Sequence, residues 1–175
     1  QSTEEIAHSV VHRLRDLVPC RRANIDLFDW EAGEVVVLAA SQTPGPGQAA
    51  TGNRFPLTHH DWLRDCWKRR EAVFVPDALE LPQSSALVRL LTGEGIKSFL
   101  AAPIGFGDEL IGSLNLGSDR TGGFGPEDKM ILEELADTVS IAIQQARLFD
   151  SVKRQGDRLR RAIARLAEAA GPERR

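Results

Sequence analysis

The sequence predicts an α+β sheet domain. Helical apolar spacing marks both ends of the chain, and alternating or continuous apolar runs fill the middle. The glycine-flanked turn "GFGD" joins two of those runs into a hairpin. Regular β-α-β alternations are too few for a doubly wound nucleotide fold.

In chain order, "STEEIAHSVVHRLRDLV" sets Ile6, Val10, Leu14 and Leu17 at helical spacing, and Ser2 with Glu5 forms a capping box. "RANIDLFD" alternates Ala23, Ile25 and Leu27 against Asn24, Asp26 and Phe28. With "VVVLAA" beyond the turn "WEAGE" it reads as a strand pair. "SQTPGPGQAATGN" is too rich in Gly, Pro and small polar residues to hold regular structure and reads as a loop. "RFPL" is a short strand, Thr58 and Asp61 open a helix over "HHDWLRDCWKRR", and "AVFVPD" is another strand. "SSALVRLLTGEG" is a short helix capped by Ser84 or Ser85 and ended by Gly93 or Gly95. "IKSFLAAPI" and "ELIGSLNLG" are the central strands. A final helix opens at Gly125-Pro126, where proline has no N–H to lose and Glu127 and Asp128 meet the positive end of the helix dipole.

Composition narrows the function classes. With 175 residues, 42% hydrophobic and 27% charged, one domain with a full core plus a tail is expected. No apolar run is long enough to span a membrane, and "QSTEEIAHSVV" has the features of no signal peptide. Cys20 and Cys66 lack C-x-x-C spacing, so free thiols and a reducing, cytoplasmic location are expected. From Asp150 onward eight basic residues face four acids, so an acidic body of net −7 carries a helical tail of net +4. The tail's charge is interleaved with a heptad along one helix, which argues against a nucleic-acid partner. "GFGDEL" lacks the third glycine of a dinucleotide fingerprint, no phosphate loop occurs, and no nucleophile, paired carboxylates or metal set assembles in the sequence. The expectation is a non-enzymatic domain.

The order of parts after Gly95 resembles a GAF domain, the small-molecule-sensing and dimerisation module of bacterial signalling proteins and phosphodiesterases. The resemblance rests on the strand ending in Ala102-Pro103-Ile104, the hairpin, the "IGSLNL" strand, the Phe124-x-x-x-Asp128 helix start and the "AIQQARLF" close. It implies a GAF/PAS-like antiparallel sheet of about six strands, with the N- and C-terminal helices on one face and short helices and loops over a ligand face. It sets the domain at residues 1–149 and a signalling helix at 150–175. Thr51 to Leu91 would then lie over a pocket, making Phe55, His59, His60, Trp62, Trp67, Phe74, Asp77 and Phe99 the candidate ligand-binding residues.

The same resemblance speaks to cofactors. Cyclic-nucleotide-binding members carry Asn-Lys before the Phe and Asp-Glu after it. Here Ser118-Asp119 and Lys129 stand in those places, so Phe124 and Asp128 read as a core plug and a helix cap. Bilin-binding members attach the chromophore through Cys-His; 18 residues before Pro103 stands Ser85, so a covalent bilin is not expected. Haem through His59 or His60 stays open. His8 and His12, at i and i+4 without the Glu of H-E-x-x-H, read as exposed, and Cys66 as a buried inert thiol.

The last helix outruns its domain. Leu135, Val139, Ala142, Ala146 and Phe149 form a seam suited to the first helix and to a partner across a two-fold axis. Val152, Gly156, Leu159, Ile163, Leu166 and Ala170 continue it as a heptad, after one out-of-phase step of three. A helix of this kind is marginal alone in water, and a second copy of itself is the economical support. The expected function is a sensing and dimerising domain that signals through this helix to an effector such as a histidine kinase or diguanylate cyclase. The alternative is a ligand-free dimerisation module, which a pocket void below about 300 Å³ would favour.

Overall fold

The computed structural model describes residues 2–42, 51–57, 61–81, 84 and 86–171, the side chains of 61–63, 86 and 87 excepted. Eleven elements follow one another: α1 (Thr3–Leu17), β1 (Arg22–Asp29), β2 (Glu34–Gln42), β3 (Arg54–Pro56), α2 (Asp61–Arg69), β4 (Val73–Val75), a 3₁₀ turn (Ala78–Glu80), α3 (Ala86–Gly93), β5 (Ser98–Phe106), β6 (Glu109–Ser118) and α4 (Pro126–Ala170). The strands form one six-stranded sheet in the order β3-β2-β1-β6-β5-β4, with every pairing antiparallel. This is the predicted α+β architecture, with β1 and β6 at its centre.

Local chemistry places the helix starts. Ser2 accepts a hydrogen bond from the Glu5 N–H while the Glu5 carboxylate accepts from the Ser2 N–H, the reciprocal cap predicted for α1. At α4 the Gly125 N–H donates to Asp128 Oδ2 at 2.8 Å. The hairpin turns at Gly107 and α3 is left at Gly95, both with positive φ (52° and 86°). The capping residues Thr58 and Ser85 lie outside the described residues.

Strand alternation divides the side chains between two layers. On one face Ile25, Leu100, Ala102, Ile104, Leu114 and Leu116 meet Ala7, Val11 and Leu14 of α1 and Leu132, Ala136, Val139 and Ile143 of α4. Each fully buried leucine or isoleucine there contributes about 2 kcal/mol. On the other face Phe28, Val35, Ala101 and Leu110 pack with Trp67 and Val73. The pairing of β1 with β2 shifts register by one residue between Ile25 and Asp26, so Leu38 bulges from β2 beside Asp26.

α4 is one continuous helix of 45 residues, about 67 Å long. Its last buried residue is Ile143. From Arg147 to Gly171 every residue is exposed except Gly156 and Asp157, which are half-buried.

Candidate functional site

On the sheet face away from α1 and α4, a cavity of about 70 Å³ lies between the central strands and α3. Its walls and cover are apolar: Val37, Val73, Val75, Leu81, Val88, Leu91, Phe99 and Ala101. Its floor is polar, built from Arg22, Asn24 and Asp26 of β1 and Ser113 and Asn115 of β6. Residues two apart on a strand share a face, and β1 pairs with β6 so that Asn24 lies opposite Asn115 and Asp26 opposite Ser113. Two polar rows, one of three residues and one of two, thus meet under an apolar cover.

The floor is a connected network. Asp26 Oδ1 accepts from Asn24 Nδ2 at 2.8 Å and Oδ2 from Asn115 Nδ2 at 3.1 Å. Asn115 Nδ2 also donates to Ser113 Oγ at 3.1 Å. Asp26 is 5% exposed, and burial pushes its carboxyl from an ordinary 3.8 up to about 6, against the opposing pull of the Asn24 hydrogen bond, the Arg22 charge and the Asn115 hydrogen bond. Burial likewise lowers the pKa of Arg22, opposed by the charges of Asp26 and Glu94. Arg22 Nη1 donates to Gln42 Oε1 at 3.0 Å. A buried carboxylate beside a buried guanidinium is costly for a core to keep unless it does something there.

A second, open cleft of about 660 Å³ lies at the β5–β6 hairpin, between Trp30, Arg64, Trp67, Lys68, Arg70 and the turn at Gly107 and Asp108. Each tryptophan is covered by a cation: Arg64 stands 4.4 Å over Trp30 and Arg70 3.4 Å over Trp67. Arg70 holds φ at 56° and donates from Nη2 to the Gly107 carbonyl at 2.5 Å. A third groove, about 470 Å³, runs between α1 and α4 along Ile6, Val10, Ala142, Ala146 and Phe149.

Of the predicted ligand residues, Phe99 lines the cavity. Phe74 does not: Val73 and Val75 point to the cavity, so alternation turns Phe74 to the opposite face, edge-on to Phe124 at 6.3 Å. Trp67 lies on Gly105 and faces the hairpin cleft instead. Asp77 caps the 3₁₀ turn, accepting from the Leu79 N–H at 3.0 Å. Phe55 sits opposite Val35 on the edge strand β3, away from the cavity lining. His59 and His60 lie outside the described residues, as does the side chain of Trp62. The polar floor was not anticipated as a site, although "RANIDLFD" shows Arg22, Asn24 and Asp26 on one face of a strand and "SLNL" shows Ser113 and Asn115 on its neighbour.

The predicted helix seam divides. Val139 is taken into the domain core and Leu135 packs against it, while Ala142, Ala146 and Phe149 line the groove beside α1. At about 100° per residue, the exposed heptad of Phe149, Val152, Leu159, Ile163 and Leu166 continues inward through Leu148 and Ile141, each more than half exposed. This apolar stripe lies on the side of α4 opposite the core.

Phe124 is a buried plug, 7% exposed. His8 and His12 are exposed. Cys20 and Cys66 are free. Burial pushes the Cys20 thiol up to about 11 and raises that of Cys66. Among the described residues no group of three or more His, Cys, Asp or Glu is placed to hold a metal, and no helix is long and apolar enough to cross a membrane.

The family model described as "GAF domain" matches residues 2–143. No curated protein matches the chain. The phycocyanobilin-bound GAF domain of a cyanobacterial phytochrome is similar at 24% identity over 85% of this chain and 87% of that one, with a TM-score of 0.71. A domain assigned to a two-component sensor histidine kinase of Sinorhizobium meliloti 1021 is similar at 25% identity over 86% and 97%, with a TM-score of 0.67. A bacteriophytochrome of the photosynthetic bacterium R. palustris shares the fold over 99% of this chain and 40% of its own, at 14% identity and a TM-score of 0.75. The phycocyanobilin-bound neighbour overturns the expectation that set a covalent bilin aside. That expectation rested on counting residues back to Ser85, and a count through a segment of loops and short helices does not decide what the sheet face accommodates.

Proposed function

Because the chain belongs to the GAF domain family, we propose that it is the sensing and dimerising part of a bacterial signal-transduction protein, itself without catalytic activity, acting in the cytoplasm. The cavity over β1 and β6 is its ligand site, and α4 carries the signal to an effector domain such as a histidine kinase or a diguanylate cyclase. The carrying observation is the apolar stripe Ile141, Leu148, Phe149, Val152, Leu159, Ile163 and Leu166, exposed along a helix whose last core residue is Ile143. Seven large apolar side chains on one face are a partner surface rather than a solvated one, and a parallel second copy covers them in register. Residues 1–149 form the domain and the remainder is the signalling helix. A ligand that prefers one arrangement of the two helices shifts the population of the dimer.

The size of the cavity favours a second reading. At about 70 Å³ it is well under the ~300 Å³ of an ordinary small-molecule site, as expected of a ligand-free dimerisation module. The buried charges of its floor favour sensing, since a face filled only by its own side chains has no need of them. Light scattering on the whole chain and on a chain ending at Phe149 tests the shared part of both readings. A dimer that dissociates on truncation supports the signalling helix; two monomers at micromolar concentration remove its basis.

A further inference from the structure

We infer that Gln145 sets the register of the dimer: its side-chain amide meets the same amide of a second copy across the two-fold, at the one polar layer of the α4 seam. This rests on reading α4 as the dimerising helix and adds the residue that aligns the two copies.

The groove beside α1 fixes the phase of the seam. Leu135 and Val139 are taken up by the domain core, so the exposed seam begins at Ala142, Gln145 and Phe149, which line that groove with Ile6, Ser9 and Val10. Counted through Gln145, the series steps by three and four without interruption to Ala170, and the out-of-phase step disappears. Three-residue steps run from a to d. Ala142, Phe149, Gly156, Ile163 and Ala170 therefore stand at a, and Gln145, Val152, Leu159 and Leu166 at d. The large apolar members are each more than half exposed. Isoleucine at a between leucines at d is the pattern of a parallel, two-stranded coil, which makes a second copy of this helix the occupant.

The apolar layers by themselves leave the register open. A slip of one heptad costs them one layer at the end, and it sets Phe149 over the space left by Gly156, which has no side chain. Gln145 supplies the missing constraint. A primary amide carries both donors and acceptors, so two of them face to face satisfy each other. After the slip Gln145 faces Val152 of the partner; in an antiparallel pair, where d meets a, it faces Ile163 or Ala170. Either arrangement buries an unpaired amide among Ile6, Val10 and Phe149, at the cost of any buried orphan. Ser9 of α1, the groove's other polar side chain, is the competing partner for that amide.

The test reads register by disulfide exchange on the whole chain. Val152→Cys and Leu159→Cys chains are mixed in a glutathione redox buffer, where burial keeps the native Cys20 and Cys66 thiols protonated. Links between identical positions report the aligned dimer, and the 152–159 link reports the slip. A parallel mixture of Val152→Cys with Ile163→Cys reports the antiparallel pair. Identical-position links are expected to exceed both mixed links by at least about tenfold. Gln145→Leu should dimerise at least as tightly, leucine being wholly apolar, while its preference over the slipped link falls below about threefold. Ser9→Ala should leave the preference unchanged. A weaker Gln145→Leu dimer, or one with undiminished preference, would overturn the register role and leave the dimer standing. Loss of preference in Ser9→Ala would do the same, by assigning the pairing to the serine. A dominant 152–163 link would overturn the parallel arrangement. A parent chain that is monomeric by light scattering at micromolar concentration would overturn both this inference and the reading it rests on.

Discussion

Replacing Asp26 with asparagine isolates the energetic consequence of burying a carboxyl in the sheet. The folded value of Asp26 is raised from 3.8 to about 6. Its contribution to stability is therefore whole below the unfolded value and is lost as pH rises through the folded one. At 1.36 kcal/mol per pH unit the full difference is about 3 kcal/mol, of which about 2.5 kcal/mol falls between pH 4 and pH 8. Asparagine cannot ionise and so lacks this loss. It also presents one NH₂ to the two donating amides of Asn24 and Asn115, which costs about 1–3 kcal/mol at every pH. The absolute stability of D26N thus depends on two opposed quantities, but its pH dependence relative to the parent depends on one. Urea unfolding of both proteins across this range should show the difference moving in favour of D26N by about 2.5 kcal/mol from pH 4 to pH 8. Every other carboxylate cancels in the comparison. A difference constant to within about 0.5 kcal/mol, or one moving the other way, would refute a buried, ionising Asp26.

Three further outcomes follow from the packing. Gly112 has no room for a Cβ, which would land on the Asp26 carbonyl oxygen in the neighbouring strand; G112A should lose at least about 2 kcal/mol in urea unfolding, and an unchanged midpoint would contradict the close approach of β6 to β1. Arg70 ends α2 in the left-handed region while stacking on Trp67 and bonding Gly107; R70A keeps the strain and loses the contacts, whereas R70G loses both, so R70G should be the more stable by about 1 kcal/mol. Cys66 is 2% exposed and the Cys20 thiol is held at about 11, so neither should react with a thiol reagent near neutral pH until the chain unfolds; one equivalent released promptly from the folded protein would show that a thiol is accessible.

Much of the fold was legible because it follows from local rules. The Ser2–Glu5 cap, the Gly107 hairpin and the Pro126 helix start each depend on residues within a few positions of one another, and all three are found where the sequence sets them. The candidate site was less legible because it is assembled across the sheet. Ranking large aromatic residues as ligand contacts selected Phe74, which alternation turns to the helix layer, and Trp67, which the packing of α2 sends to the hairpin. Asn24 and Asn115 are far apart in the chain, and only the β1–β6 register sets them opposite each other.

Sequence alone therefore determined the elements, their class and the length of the final helix, because periodicity and capping act over a few residues. Tertiary structure decided which side of each element matters. It drew Val139 into the core and left Ile141 and Leu148 outside, because the angle at which α4 rests on β5 and β6 selects one stripe of the helix for burial. It also enclosed Asp26 between two asparagines under apolar cover. The carboxyl's raised pKa is a property of that surrounding, a desolvation that no residue carries in its own sequence neighbourhood.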